Sequence, residues 1–88
     1  MVSKQFQGIT RDKWNDIKTV FAHETNVWIQ SDEGSASTHG IDFSWLLSGD
    51  QLTVSLSVPH FGFALKMAGL KTEDAVMDKF SHWIEGVN

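Results

Sequence analysis

Gly40-Ile-Asp-Phe-Ser-Trp-Leu-Leu-Ser-Gly-Asp-Gln-Leu-Thr-Val-Ser-Leu-Ser-Val58 decides the fold. Ile41, Phe43, Trp45 and Leu47 occupy every second position, Ser48-Gly49-Asp50 interrupts, and Leu52, Val54, Leu56 and Val58 resume the alternation. Side chains on a strand point alternately to opposite faces, so this period places all eight apolar residues on one side. A short glycine-containing break between two such runs is the chemistry of a hairpin turn. The stretch therefore predicts an antiparallel hairpin with one face to bury.

The C-terminal segment is suited to cover that face. Thr72 can cap a helix that carries Glu73 and Asp74 in its first turn, where the helix dipole favours acids, and that ends near Gly86. Along it Val76, Met77, Phe80, Trp83, Ile84 and Val87 fall within an arc of roughly 120°. Upstream, Thr10 caps a first helix to about His23, with Trp14, Ile17 and Phe21 on one stripe. Asn26 breaks that pattern. Val27-Trp28-Ile29-Gln30, rich in β-branched and aromatic residues, reads as a first strand, and Asp32-Glu-Gly-Ser-Ala-Ser37 as a polar connection to the hairpin. Pro59 closes the last strand because proline cannot donate to a ladder. Residues 60–70 are apolar on every side, with Gly69 placed as the residue after a short helix. The expectation is one α+β domain over residues 1–88: helix, three-stranded antiparallel meander, short apolar helix or loop, and C-terminal helix, with the helices on one face of the sheet.

An 88-residue chain that is 41% hydrophobic, with six Phe and four Trp, holds enough apolar surface for a single core. Its lack of cysteine excludes disulfides, thiol catalysis and thiolate metal sites. No stretch reaches the roughly 18 apolar residues that span a bilayer, and the first residues lack the apolar run of a signal peptide, so a cytoplasmic protein is expected. The net charge of −4 is unevenly spread. Residues 23–58 carry Glu24, Asp32, Glu33, Asp42 and Asp50 and no Lys or Arg. Such a surface opposes phosphate backbones, whose binding rests on Lys and Arg, and tolerates a basic protein. It solubilises the chain in any case.

Catalytic and cofactor patterns do not emerge. His23, His39, His60 and His82 lie in separate segments without the close spacing that zinc sites use, so no metal is expected. No Gly-x-Ser-x-Gly elbow occurs, and Ser35, Ser37 and Ser44 have no local base. Gly34-Ser-Ala-Ser-Thr-His-Gly40 lacks the Lys-Ser/Thr ending of a phosphate loop and leads into a strand. The chain reads as non-enzymatic, with no cofactor.

Two apolar surpluses point instead to binding. On the solvent face of the predicted sheet, Trp28 and Leu46 would stand beside Asp42 and Ser44, a patch fit to anchor a protein partner or a second copy of the chain. Reversed parity in the short first strand would instead bury Trp28 and turn Val27 and Ile29 outward. The second surplus is the tract holding Phe61, Phe63, Leu65 and Met67, which either plugs the core or walls a site for an apolar ligand. A third reading, from small size and the anionic middle, is a phage-type inhibitor of a basic host protein.

Gly40-Ile-Asp-Phe-Ser-Trp45, Gly49-Asp-Gln-Leu-Thr-Val-Ser-Leu56, the apolar segment containing Lys66 and the closing helix through Ile84 together resemble, in layout, the small polyhydroxyalkanoic acid system proteins. The resemblance covers the C-terminal half and carries no functional residue across. It implies a helix, antiparallel strands and a closing helix, in a bacterial accessory protein whose apolar surface meets a storage granule.

Overall fold

Ile41–Ser48 and Gln51–Ser57 pair antiparallel with Trp45 opposite Val54 and Ser48 opposite Gln51, so the hairpin closes through Gly49 and Asp50 alone. Gly49 stands at φ 64 while Asp50 stays out of the left-handed region. That combination belongs to a II′ turn, whose twist matches right-twisted strands. The computed structural model describes residues 2–38, 40–59, 63–67 and 69–86. Its elements are β1 (Val2–Phe6), α1 (Arg11–Thr25), β2 (Glu33–Thr38), β3 (Ile41–Ser48), β4 (Gln51–Ser57), α2 (Phe63–Met67) and α3 (Glu73–Glu85). The sheet has four antiparallel strands in the order β1-β4-β3-β2.

The fold is α+β with the predicted meander at its centre, but the meander begins elsewhere and a further strand joins it. Residues 27–30 are irregular, and the first strand of the meander is the Glu33–Thr38 segment, read from sequence as a connection. Packing explains the exchange. Trp45 lies across β2 at Gly34, where an added Cβ would meet its Cζ2 at 2.7 Å, and its Nε1 donates to the Ser31 carbonyl at 3.0 Å. The strand beside β3 must therefore offer small inward residues, which Gly34, Ala36 and Thr38 do. Ile29 serves the core from the irregular segment instead, at 8% exposure. The N-terminal strand has its own disguise: Val2, Lys4 and Phe6 share the inward parity, so a lysine interrupts the apolar pattern. Lys4 reaches over the sheet edge to Ser81 Oγ at 3.2 Å and Glu85 at 3.7 Å on α3.

Both long helices lie on the inner face. α1 starts at Thr10, whose side chain accepts the Lys13 N–H, and presents Trp14, Ile17 and Phe21. α3 starts at Thr72, which accepts the Ala75 N–H, and presents Val76, Met77, Phe80 and Ile84. These meet Phe43, Trp45, Leu47, Leu52, Val54 and Leu56 in one core. Phe80 is central: Phe21 lies edge-on to it at 5.1 Å, Phe43 edge-on at 5.4 Å, and Trp83 stacks on it at 5.3 Å. Such aromatic pairs add to the burial of their area. Val87, assigned from sequence to the same stripe, lies outside the described residues.

Hydrogen bonds tie the layers together. The Val58 N–H donates to Glu73 Oε2 at 2.7 Å, joining the chain just after β4 to the start of α3. Gly69, at φ 81, follows α2 as predicted: its N–H donates to Lys66 O and that of Leu70 to Leu65 O, the paired bonds of a Schellman ending. The Cα radius of gyration is 12.4 Å, against about 12 Å for a compact domain of this length. Among the described residues, no helix is long and apolar enough to cross a membrane.

Candidate functional site

Among the described residues no helix covers the outer face of the sheet, which is rich in hydroxyl groups. Register aligns Ser3, Ser55, Ser44 and Ser35 in one row across the strands, and Gln5, Thr53, Leu46 and Glu33 in the next. On the other side of the serine row stand Ser57, Asp42 and Ser37. A groove of about 670 Å³ runs over this face, lined by Ser35, Ser37, Asp42, Ser44, Ser55 and Ser57 among others. Ser37 Oγ donates to Asp42 Oδ1 at 2.5 Å, and Ser3 Oγ and Ser55 Oγ share a hydrogen bond of 2.7 Å. Asp42 and Ser44 thus occupy the groove, while Leu46, 43% exposed, stands outside its lining beside Glu33 and Thr53.

Along the β2 edge the backbone itself is available. The Leu47 N–H donates to Asp32 O at 2.7 Å, which makes this a hydrogen-bonded pair of the antiparallel ladder. Such pairs alternate with non-bonded ones. Residues 34, 36 and 38 therefore turn their amides toward β3, and Glu33, Ser35 and Ser37 turn theirs outward. Ser31 Oγ donates to the Glu33 carbonyl at 2.6 Å. Among the described residues nothing bonds the outward amide groups of Ser35 and Ser37. The opposite edge, β1, is guarded by the inward-pointing Lys4, a device that deters strand addition. β2 carries no such guard: its sequence Glu-Gly-Ser-Ala-Ser-Thr has neither lysine nor proline.

Trp28 belongs to the same side of the molecule. The irregular segment that bears it is pegged to both ends of β2: Thr38 Oγ1 donates to Thr25 O at 3.2 Å, and Ser31 bonds Glu33. Trp28 lies between these pegs, so it stands alongside β2. It is 72% exposed while its neighbour Ile29 is buried. Neither strand-parity assignment made from sequence applies, because this segment is not a strand; the indole is outside the core, on a segment that is no part of the sheet holding Leu46.

Charge along β2 itself is acidic, and cations from the helices stand at its two ends: Arg11 and Lys18 by Asp32, and Lys79 in the lining that holds Glu24 and Thr38. Arg11 holds Asp32 through two hydrogen bonds of 2.7 and 3.1 Å, and the Trp14 indole N–H adds a third at 3.2 Å. The hydrogen bond from Arg11 is the main reason that Asp32 sits below the ordinary carboxylate pKa. Asp32 is therefore committed to positioning the irregular segment over α1. Glu24, Glu33 and Asp42 remain as exposed carboxylates, and no Lys or Arg occurs anywhere in residues 23–58.

The apolar tract separates into parts. Leu65 points inward and, with Ile41, Leu70, Val76, Phe80 and Trp83, lines a cavity of about 140 Å³ between the helices and the sheet, to which Glu24, Thr25, Thr38 and Lys79 also contribute. Met67 points outward at 71% exposure. Phe61 and the side chain of Phe63 lie outside the described residues, as do His39 and His60. Among the described residues no group of three or more His, Asp or Glu could hold a metal ion.

The β2 edge escaped the reading of the sequence because its residues are small and polar, the composition of loops. Its legible signal was a faint alternation, Gly34, Ala36 and Thr38 against Ser35 and Ser37, ahead of Gly40. No protein-family model, curated protein or solved structure matches this chain.

Proposed function

We propose that this chain is a small non-catalytic module that works by associating with protein, through the side bearing β2, Trp28 and the adjoining face with Asp42, Ser44 and Leu46. One observation carries the reading: a 72% exposed tryptophan lies on the segment beside an edge strand that has outward amides and no inward-pointing charge. Tryptophan supplies a large rigid contact and is enriched where interfaces concentrate their binding energy. An open strand edge supplies directional hydrogen bonds. Trp28→Ala is expected to weaken association, measured as concentration-dependent mass, with stability changed by less than about 0.5 kcal/mol, as for surface sites generally. A collapse of the melting temperature would give the indole a structural role and remove the reading.

A second reading rests on the cavity lined by Leu65. Its 140 Å³ is similar to the roughly 150 Å³ apolar cavity that accepts a single aromatic ring in another protein. Met67, on α2 two residues after Leu65 and exposed, offers an adaptable apolar contact suited to an apolar ligand or a granule surface. Monomeric protein that takes up an apolar fluorescent probe under native conditions supports this reading, and absence of uptake removes it.

A further inference from the structure

We infer that the occupant of the β2 edge is a cationic extended segment of another protein, added to the sheet as a fifth strand. The inference rests on the association reading above and specifies its partner. Strand addition follows from the outward amides of Ser35 and Ser37, since a pairing strand satisfies alternate N–H and C=O groups along an edge. Charge follows from the surroundings: Glu33 and Asp42 flank these serines on the outer face, and residues 23–58 contain no Lys or Arg. Alternation then dictates the pattern of the incoming strand. Every second side chain would continue the outer face beside Ser35, Ser37 and Asp42, where Lys or Arg meets carboxylate. The intervening side chains would lie toward the irregular segment, where the Trp28 ring can take an aliphatic stem or the face of a guanidinium.

A second copy suits this edge poorly. Two-fold pairing about Ser35 would set Glu33 of one molecule opposite Ser37 of the other, and Ser37 lies beside Asp42. Glu33 of each copy would then stand two strand spacings, about 10 Å, from Asp42 of the other on one continuous face, comparable to the Debye length of about 8 Å at physiological salt, so their repulsion is only partly screened. A basic strand in the same place reverses the sign of every one of these interactions.

The test uses the isotope-labelled full chain with three short synthetic peptides: alternating arginine and valine, the same with glutamate for arginine, and the arginine peptide with prolines that block pairing. The arginine peptide is expected to slow amide exchange at Ser35 and Ser37 by about tenfold at millimolar concentration while leaving β1 unchanged. Binding should weaken by about tenfold between roughly 0.05 and 0.5 M salt. Ser35→Pro, which removes one outward N–H, should abolish protection. The double variant Glu33→Gln, Asp42→Asn leaves the backbone intact and should reduce affinity severalfold, so the test does not depend on the proline variant folding. Equal protection by the glutamate peptide, protection at β1 instead, or none from any peptide at millimolar concentration would overturn the inference. Self-association that protects Ser35 and Ser37 would make a second copy the occupant and leave the association reading standing. If neither peptide nor self-association reaches this edge and Trp28→Ala changes nothing, both readings fall.

Discussion

A Cβ placed on Gly34 would stand 2.7 Å from Trp45 Cζ2, closer than carbon atoms pack, so an alanine there must displace a buried indole held by its bond to Ser31. Gly34→Ala is expected to cost about 1–3 kcal/mol through overpacking. A lowered melting temperature with altered tryptophan emission is the measurement. Asp32 makes a different kind of prediction. Its pKa is lowered in the folded chain, chiefly by the Arg11 hydrogen bond, from an ordinary value of 3.8. The stability that it contributes is full above that ordinary value, falls as acid brings the pH below it, and is lost once the pH passes the lowered folded pKa. The pair is exposed, so the contribution is small. Asp32→Asn should therefore be slightly less stable than the parent at neutral pH, with the two denaturation midpoints converging below pH 3.8. Persistent separation in acid would mean that Asp32 acts through something other than its charge. Neither relation was readable in the chain, because Gly34 and Trp45, like Arg11 and Asp32, become neighbours only on folding.

At the scale of elements the two sheet edges differ in kind. β1 turns Lys4 inward, where it finds Ser81 and Glu85 and passes its ammonium 5.3 Å from the Phe6 ring centroid. An inward charge makes pairing at that edge unfavourable, because an added strand would crowd it. Lys4→Val should change monomer stability by no more than about 1 kcal/mol yet lower the concentration at which aggregates scatter light. Unchanged solubility would show that α3 alone protects β1. The long elements were legible: Thr10 and Thr72 act as caps, the β3–β4 alternation buries the predicted face, and Gly69 ends α2. Each rests on a local rule. β2 was not legible, since Gly34 and Ala36 are poor strand formers, and the footprint of Trp45 nevertheless requires the glycine. Trp28 was rightly read as an apolar surplus, but residues 27–30 were given a strand whose place β2 takes.

For the whole molecule, stability concentrates where α1, α3 and the sheet meet. Phe80 contacts aromatic rings from all three and is almost fully buried. Phe80→Ala should cost about 3–5 kcal/mol. With total stability of order 5–15 kcal/mol for a domain, that is a large share. Chemical denaturation measures it, and a loss below about 1 kcal/mol would mean that the cluster repacks around the gap. By itself the sequence determined what repeats at short range: the hairpin and its buried face, both long helices and their apolar stripes, and the anionic character of residues 23–58. Those features follow from period and capping, which act within a few residues. Tertiary structure alone decided which segment lies against β3, which strand joins β4, and where Trp28 stands. Pairing at a sheet edge depends on the shapes of side chains distant in sequence, here the indole of Trp45 and the reach of Lys4, and no local pattern encodes them.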